Sequence, residues 1–151
     1  MTRIPRLSKS RFQAGLQCPK RLWLGCHHPE LADPIDEAKQ AVFDLGHQVG
    51  ELARTRFAGG VLVAEDHTQS HAALQTTRRL LAEGASCLYE PAFEHDGVLV
   101  RADVLRKDHR DEWELIEVKS STQAKPEHIT DAAVQTYVVR GTGVPVVRTY
   151  L

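Results

Sequence analysis

Two carboxylates and a lysine near the middle of the chain have the types and the spacing to bind a metal ion. Asp103 lies near the end of one short apolar run, and Glu117 and Lys119 lie at the end of the next. If the two runs pair as neighbouring strands, the alternation of side chains brings all three to one surface of a sheet. Hard carboxylate oxygens suit Mg²⁺ or Mn²⁺. The alternative is a surface hairpin on which these groups form ion pairs in water.

The three residues belong to a predicted β-hairpin that spans residues 98–119 and reads VLVRADVLRKDHRDEWELIEVK. Its arms are short runs of β-branched and apolar residues, and the charged stretch 106–112 between them is typical of a turn. Unpaired carboxylates are unfavourable on a mostly apolar sheet, so Asp103 and Glu117 need a cation or hydrogen-bond donors. The hairpin is therefore the element that must position the candidate site.

Helices are predicted on both sides of the hairpin. The longest spans about 36–57, a second covers about 68–83, and a third covers about 126–140. A short strand at 61–64 and a strand at 87–93, which Pro91 interrupts, precede the hairpin, and a last strand covers 144–151. The face of the longest helix that is expected to be buried contains Ala38, Val42, Leu45, Val49, Leu52 and Ala53.

The composition fits one soluble domain. Of the 151 residues, 42% are hydrophobic and 26% are charged, and the net charge is −1. A nearly neutral chain is not expected to coat nucleic acid, so any such contact must come from a local basic patch. No apolar run reaches about 18 residues, and the N-terminus lacks the core of a signal peptide. With three irregularly spaced cysteines, the sequence predicts a cytoplasmic protein with reduced thiols and no membrane contact.

The pattern of Asp103 followed by Glu117-Val118-Lys119 resembles the core of the PD-(D/E)XK nuclease superfamily, and more narrowly its RecB-like branch, which includes the CRISPR-associated RecB-like exonucleases. Over residues 7–151 the chain is also similar to an uncharacterised bacterial group whose members begin with a stretch like LSKSRFQAGLQCPKRLWL. The resemblance implies an α/β fold with a restriction-endonuclease-like αβββαβ core, in which helices flank a mixed central sheet.

The same resemblance divides the chain into two parts. Residues 1–34 are expected to form an N-terminal helical segment with basic and cysteine residues. Residues 35–151 are expected to form the nuclease core, truncated at its C-terminus relative to longer members of the family. The oligomeric state is not predicted.

The resemblance implies a metal-dependent deoxyribonuclease that hydrolyses phosphodiester bonds in DNA with Mg²⁺ or Mn²⁺. Asp103 and Glu117 would bind the ion together with the backbone carbonyl of Val118. Lys119 would orient the attacking water or stabilise the charged phosphate, unless it is a surface lysine at a strand end. Gln135, on the helix after the hairpin, would contact DNA or the site.

One feature departs from the RecB-like pattern. Relatives carry a tyrosine four residues after the glutamine, whereas here Val139 occupies that position and Tyr137 lies two residues after Gln135. Two residues correspond to about 200° around a helix, so Tyr137 and Gln135 cannot share a face. Tyr137 is therefore predicted to be a packing residue.

Three further residues are candidates for the metal site. A histidine on the N-terminal helix of RecB-like nucleases completes the site, and His47 is the matching residue; otherwise it is an exposed or structural histidine. A nitrogen ligand would make Mn²⁺ competitive with Mg²⁺. Glu51, one turn after His47, would orient it or bind a second metal or water, or it is simply solvated. Glu90, in the strand before the hairpin, would support the site.

The N-terminal segment offers a candidate DNA contact. Lys20 and Arg21, with Phe12 and Trp23 among neighbouring basic residues, would bind a phosphate backbone and stack on bases. The alternative is a solvated basic helix face whose aromatic side chains pack inward.

Cysteine chemistry is a separate expectation. Cys18 matches the position of the first of four iron–sulfur ligands in RecB-like exonucleases, and the other three lie after the nuclease core, so a four-iron four-sulfur cluster is expected only in a longer form. Cys18 with Cys26, His27 and His28 would otherwise hold zinc, although their spacing is not standard.

Two functions other than a nuclease remain open. One is a catalytically inactive nuclease-fold domain that binds DNA or a protein partner, and the other is a zinc-bound interaction module.

Overall fold

A computed structural model describes residues 6–151 of the protein, which form five α-helices and eight β-strands. The helices are α1 (Lys9–Gln17), α2 (Pro19–His27), α3 (Glu37–Arg56), α4 (Ser70–Ala82) and α5 (Pro126–Gly141). The strands are β1 (Leu7–Ser8), β2 (Val61–Leu62), β3 (Cys87–Tyr89), β4 (Ala92–His95), β5 (Val98–Arg101), β6 (Val104–Lys107), β7 (Trp113–Ile116) and β8 (Val146–Tyr150). The α/β class predicted from the sequence is confirmed; a restriction-endonuclease-like core stays a prediction. Within residues 6–151, no helix combines the length and the apolar character needed to cross a membrane.

The strands form two mixed sheets that meet at Asp103. The smaller sheet has the order β1-β5-β4, and the larger has the order β2-β3-β6-β7-β8. Only Glu90 and Pro91 separate β3 from β4, and only Ala102 and Asp103 separate β5 from β6. The Glu90 N–H donates to the Asp103 carbonyl at 3.1 Å, and the Ala102 N–H donates to the Pro91 carbonyl at 3.0 Å. Two chain segments therefore pass from one sheet into the other, and Asp103 lies where they bend.

The predicted hairpin is present, but its first arm is bent rather than continuous. The antiparallel pairing of β6 with β7 runs from Val104 opposite Ile116 to Lys107 opposite Trp113, so the predicted turn 106–112 begins too early. β5 pairs instead with β4. The bend accompanies Glu90, whose φ of 54° lies in the left-handed region, and the following proline, which has no N–H to donate.

The core lies mainly between the strands and helices α4 and α5. Val138 and Val139 of α5 pack against Phe93, Leu105 and Leu115 from three different strands. A second cluster joins α4 to β3 and β4 through Ala73, Leu74, Leu80, Leu88 and Ala92. On the other side of the larger sheet, Tyr89, Val104 and Ile116 pack against Phe57, which follows α3. Burial of these apolar side chains holds the bend of the strands in place.

Helix α3 is the longest helix, as predicted, but the prediction of its buried face is wrong. Asp36 accepts a hydrogen bond from the Lys39 N–H and so begins the helix. None of its residues is buried, and the side chains of Val42 and Leu52 are 62% and 68% exposed. Helical periodicity shows which residues share a face, but it does not show whether another element covers that face.

The N-terminal segment makes contacts across the predicted boundary between residues 34 and 35. Strand β1 pairs in parallel with β5, with Leu7 opposite Val98. From α1, Gln13 Nε2 donates to the Glu127 carbonyl at 2.9 Å and to Asp131 Oδ1 at 2.7 Å. Helix α1 therefore packs on the first turns of α5. The division into residues 1–34 and 35–151 stays a prediction.

Candidate metal centre

The junction of the two sheets brings Asp103 and Glu117 together. The antiparallel register of Val104 opposite Ile116, continued by one residue, places Asp103 opposite Glu117. The Val118 N–H donates to Asp103 Oδ2 at 2.6 Å. These contacts hold the two candidate metal-binding carboxylates on adjacent strand ends.

Burial and mutual repulsion give the two carboxyl groups different acidities. Burial raises the pKa of Asp103, and the negative charge of Glu117 raises it further, to about 7, although the Val118 N–H acts in the opposite direction. Burial also raises the pKa of Glu117, but the Lys9 charge and the hydrogen bonds from Lys119, Lys9 and Gln135 outweigh it and leave this pKa below its ordinary value. Without a metal ion, Glu117 is therefore the ionised member of the pair and Asp103 the more readily protonated one.

Two lysine ammonium groups share one oxygen of Glu117. The Nζ atoms of Lys9 and Lys119 lie 2.8 Å and 2.6 Å from Glu117 Oε1, and the Glu117 side chain is only 1% exposed. Lys119 Nζ also lies 2.6 Å from Asp131 Oδ2. Burial lowers the pKa of Lys119, but its bonds to Asp131 and Glu117 outweigh that effect and raise the pKa above its ordinary value. Lys119 is therefore protonated and held in one position near neutral pH.

Lys9 and Asp131 are site residues that the sequence interpretation missed. In the sequence, Lys9 is one of several basic residues of the N-terminal segment, and no spacing rule links it to Glu117. Asp131 could have been identified from the sequence, because it precedes Gln135 by one turn of α5 and so faces the same side of the helix. Together the two residues extend the site onto α1 and α5.

Gln135 holds the other oxygen of Glu117. It is fully buried on α5, and its Nε2 donates to Glu117 Oε2. Its Oε1 is buried and has no hydrogen-bond partner within residues 6–151. Gln135 thus fixes the orientation of the Glu117 carboxylate from the side opposite to the lysines.

Tyr137 lies away from this arrangement. Its hydroxyl donates to Asp96 Oδ2 at 2.5 Å, and its ring lies 5.5 Å from that of His95. The side chain is 52% exposed. Tyr137 and Gln135 therefore face different surroundings, and Tyr137 packs at the surface rather than in the core.

A cleft of about 790 Å³ opens beside the two carboxylates. Asp103, Glu117 and Lys119 line one part of it, and His47 and Glu51 line the part formed by α3. Within residues 6–151, no three His, Cys, Asp or Glu side chains are grouped to hold one metal ion. The structure therefore brings two predicted ligands together and leaves His47 and Glu51 exposed in the same cleft.

Glu90 adds a third acidic group near the site. It lines the same cleft, and its charge contributes to the raised pKa of Asp103. The Arg101 guanidinium donates to the Glu90 and Val63 carbonyls at 3.0 Å and 2.9 Å, which holds the bend that contains Glu90. Glu90 is therefore joined to Asp103 through the backbone, and its charge opposes ionisation of Asp103; a supporting role for Glu90 in the site stays a prediction.

The residues present fit a hard divalent cation. Asp103 and Glu117 offer oxygen donors of the kind that Mg²⁺ and Mn²⁺ prefer. A cation between them would offset the repulsion that raises the pKa of Asp103. Among residues 6–151, Asp103 Oδ1 accepts no hydrogen bond, whereas Oδ2 accepts one from Val118.

The cysteines of the N-terminal segment do not form a site among the described residues. Cys18 is exposed and Cys26 is half-buried, and both are free thiols. His27 and His28 lie with their rings 5.2 Å and 5.1 Å from that of Trp23. These residues are not grouped to hold a metal ion in the described part of the chain, and the iron–sulfur role of Cys18 stays a prediction.

The basic residues of α2 face solvent. Lys20 and Arg21 are exposed, and Arg21 bonds to Gln17 one turn earlier. Trp23 on the same helix is 52% exposed. This surface is accessible to a nucleic acid, as the DNA-contact hypothesis requires.

Comparisons with known proteins add no assignment. No protein-family model matches the chain, and a search of curated proteins finds no match.

Proposed function

We propose that the protein is a divalent-metal-dependent deoxyribonuclease of the PD-(D/E)XK type, related to the RecB-like branch, which hydrolyses phosphodiester bonds in DNA. One observation carries the proposal: Glu117 is buried opposite Asp103, with Lys119 on one of its oxygens and Gln135 on the other. A buried carboxylate pair beside a fixed ammonium group is unfavourable as simple packing. It is suited to binding a cation and a phosphate together.

Asp103 and Glu117 would hold the metal ion, with the Val118 carbonyl as a third donor. When bound, Mg²⁺ or Mn²⁺ would supply a hydroxide-like water and offset negative charge on the phosphate. Gln135 keeps the Glu117 carboxylate in one orientation by donating to Oε2. His47 is a further ligand in this proposal if α3 approaches the carboxylates across the cleft.

Lys119 contributes positive charge that is already in place. Its ammonium group is held between Glu117 and Asp131 at 2.6 Å from each, so little reorganisation is needed when a phosphate arrives. Such preorganised charge orients an attacking water or stabilises the extra charge on the phosphate. Asp131 is then a positioning residue, because it acts on the reaction through Lys119.

The cleft supplies groups for the DNA backbone. Arg54 lines it together with Lys9, and positively charged groups bind phosphates without reading sequence. Lys20 and Arg21 on α2 form a separate exposed basic patch. We propose that DNA lies along the cleft, with its backbone near Lys119.

A cleavage assay tests the proposal. The parent protein is incubated with Mn²⁺ and either single- or double-stranded DNA, in parallel with Glu117→Ala and Lys119→Ala. Removal of a preorganised charge from an active site reduces turnover by roughly 10²-fold or more, and we expect losses of that size. Glu37→Ala and Lys39→Ala, which remove exposed charges from α3, are matched controls that should cut as the parent does. Equal cleavage by the parent and both site variants would show that the catalytic assignment is wrong.

One observation favours a second candidate, a nuclease-fold domain that binds DNA without cleaving it. The two ammonium groups on Oε1 already neutralise Glu117 without a metal ion. A domain that has lost catalysis would need no other cation to keep this carboxylate buried. This candidate predicts DNA binding in EDTA, measured by fluorescence anisotropy, with no cleavage when Mn²⁺ is added. Manganese-dependent cleavage that Glu117→Ala abolishes would exclude it.

A further inference from the structure

Lys9 lies at the site although it is far from the other site residues in the sequence. It is the first residue of α1, 108 positions before Glu117, and its Nζ lies 2.8 Å from Glu117 Oε1. The side chain is only partly exposed and lines the cleft beside the carboxylates. A lysine from the far end of the chain therefore contacts Oε1, the Glu117 oxygen to which Gln135 does not donate.

Three contacts hold Lys9 in this position. Strand β1 pairs with β5 immediately before it. The Ser8 hydroxyl accepts a hydrogen bond from the Arg11 N–H and begins α1. One turn after Lys9, Gln13 bonds to Asp131 of α5. The α1 face that contains Lys9 and Gln13 is thus attached to the site at both Glu117 and Asp131.

The charges around Glu117 show what Lys9 does there. Lys119 is shared between Glu117 and Asp131, whereas Glu117 is the only acidic partner of Lys9 within residues 6–151. The ammonium group of Lys9 therefore forms its ion pair with Glu117, and its charge also lowers the pKa of the neighbouring Asp103. In a buried setting, like charges at short range repel strongly, so a divalent ion at Oε1 would weaken the hold of Glu117 on its ammonium groups. Lys119 is also held by Asp131, so Lys9 is the one more easily displaced.

We propose that Lys9 is a built-in counter-ion that competes with the divalent metal for Glu117, so that the metal ion binds when the Lys9 ammonium leaves Oε1. The inference rests on the proposed metal site of the nuclease. It makes α1 part of the control of metal affinity: the N-terminal segment stabilises the metal-free site and weakens metal binding. The released ammonium group then faces the cleft, where the DNA backbone is proposed to lie.

Direct titration of Mn²⁺ into the full chain without DNA tests this inference. Lys9→Gln and Lys9→Met both remove the charge, and Lys9→Met keeps most of the aliphatic stem, so the test needs only one of them to keep the fold. We expect a neutral variant to bind Mn²⁺ roughly tenfold more tightly than the parent, the scale on which neighbours of metal ligands alter affinity. Lys9→Arg keeps the charge and should bind as the parent does. Lys39→Gln, an exposed lysine on α3, is the matched control.

Two readouts separate this inference from the proposed function. Adding Asp103→Asn to Lys9→Gln should abolish the gain, which would locate the ion at the carboxylates. Equal Mn²⁺ affinity in the parent and the neutral variants, no binding by any of them, or an equal gain in Lys9→Arg would overturn the inference. Cleavage of DNA is measured separately. If the neutral variants bind Mn²⁺ more tightly but no protein cleaves DNA, the competition is established and the nuclease proposal is wrong. If the parent cleaves DNA but the neutral variants bind Mn²⁺ with the affinity of the parent, the nuclease proposal stands and the competition is wrong.

Discussion

The Val118 N–H donates a hydrogen bond of 2.6 Å to Asp103 Oδ2, and so joins the strand end that carries Glu117 to the bend that carries Asp103. This bond keeps two acidic groups close together in a buried place. Burial and the nearby charge of Glu117 make the ionised form of Asp103 unfavourable in the metal-free protein, as its raised pKa shows. Functional sites often contain such unfavourable arrangements, which are relieved when the ligand binds.

Asp103→Asn is expected to stabilise the metal-free protein. The pKa of Asp103 is raised from 3.8 to about 7 by burial and then by Glu117. A carboxyl whose folded pKa is raised destabilises the folded state increasingly as the pH rises from about 4 to about 7, and asparagine does not titrate. We expect a gain on the order of 1–3 kcal/mol in the free energy of unfolding at pH 8, measured by urea denaturation in EDTA, and a smaller gain near pH 5.

The control for this measurement is Asp33→Asn, which removes an exposed loop carboxylate and should leave the free energy of unfolding unchanged. A loss of stability in Asp103→Asn at pH 8 would show that the charged form of Asp103 is favourable without a metal ion. That result would contradict the repulsion between the two carboxylates.

His47→Ala tests whether α3 contributes a ligand. If His47 binds the ion, its loss should weaken Mn²⁺ binding by roughly tenfold and Mg²⁺ binding by less, because a nitrogen ligand favours Mn²⁺. Isothermal titration with each metal gives both affinities. His71→Ala, an exposed histidine on α4, should change neither. Unchanged affinities of His47→Ala for both metals would show that His47 is an exposed helix residue with no part in the site.

Gly60→Ala tests the attachment of α3 to the sheet. The Tyr89 hydroxyl accepts a hydrogen bond from the Gly60 N–H at 3.1 Å and donates to the Phe57 carbonyl. A Cβ on Gly60 would overlap the Tyr89 ring and lie 2.8 Å from Cys87 Sγ. We expect a loss of about 1–3 kcal/mol in the free energy of unfolding.

Gly25→Ala on α2 is the matched substitution, because a Cβ there meets nothing within 4 Å. Alanine is a better helix former than glycine, so this variant should gain about 0.5–1 kcal/mol. A Gly60→Ala variant as stable as the parent would show that the close approach of Tyr89 to Gly60 does not hold α3 in place.

Local patterns were enough to predict most of the elements. Asp36 and Ser8 begin helices because their side chains accept hydrogen bonds from free backbone N–H groups, and that tendency is readable from residue type. The interruption of the predicted strand at Pro91 was readable in the same way, whereas the passage of the chain from one sheet into the other was not. The exposure of α3 was not, because burial depends on which element packs against a face, and periodicity carries no information about that partner.

The same distinction between local pattern and tertiary contact applies to the candidate site. Asp103, Glu117 and Lys119 could be predicted because strand alternation and register link them within one hairpin. Lys9 could not, because it reaches Glu117 only through the pairing of β1 with β5 and the packing of α1 on α5. Contacts between residues so distant in the chain depend on tertiary structure, for which a single sequence gives no local signal.

The location of a bound metal ion tests the central claim most directly. Crystals of the protein soaked in MnCl₂ can be examined at a wavelength where manganese scatters anomalously. We predict an anomalous peak between the Asp103 and Glu117 carboxylates, absent in crystals of Glu117→Ala treated alike. A peak only elsewhere, or no peak at saturating Mn²⁺, would contradict a metal centre at the junction of the two sheets.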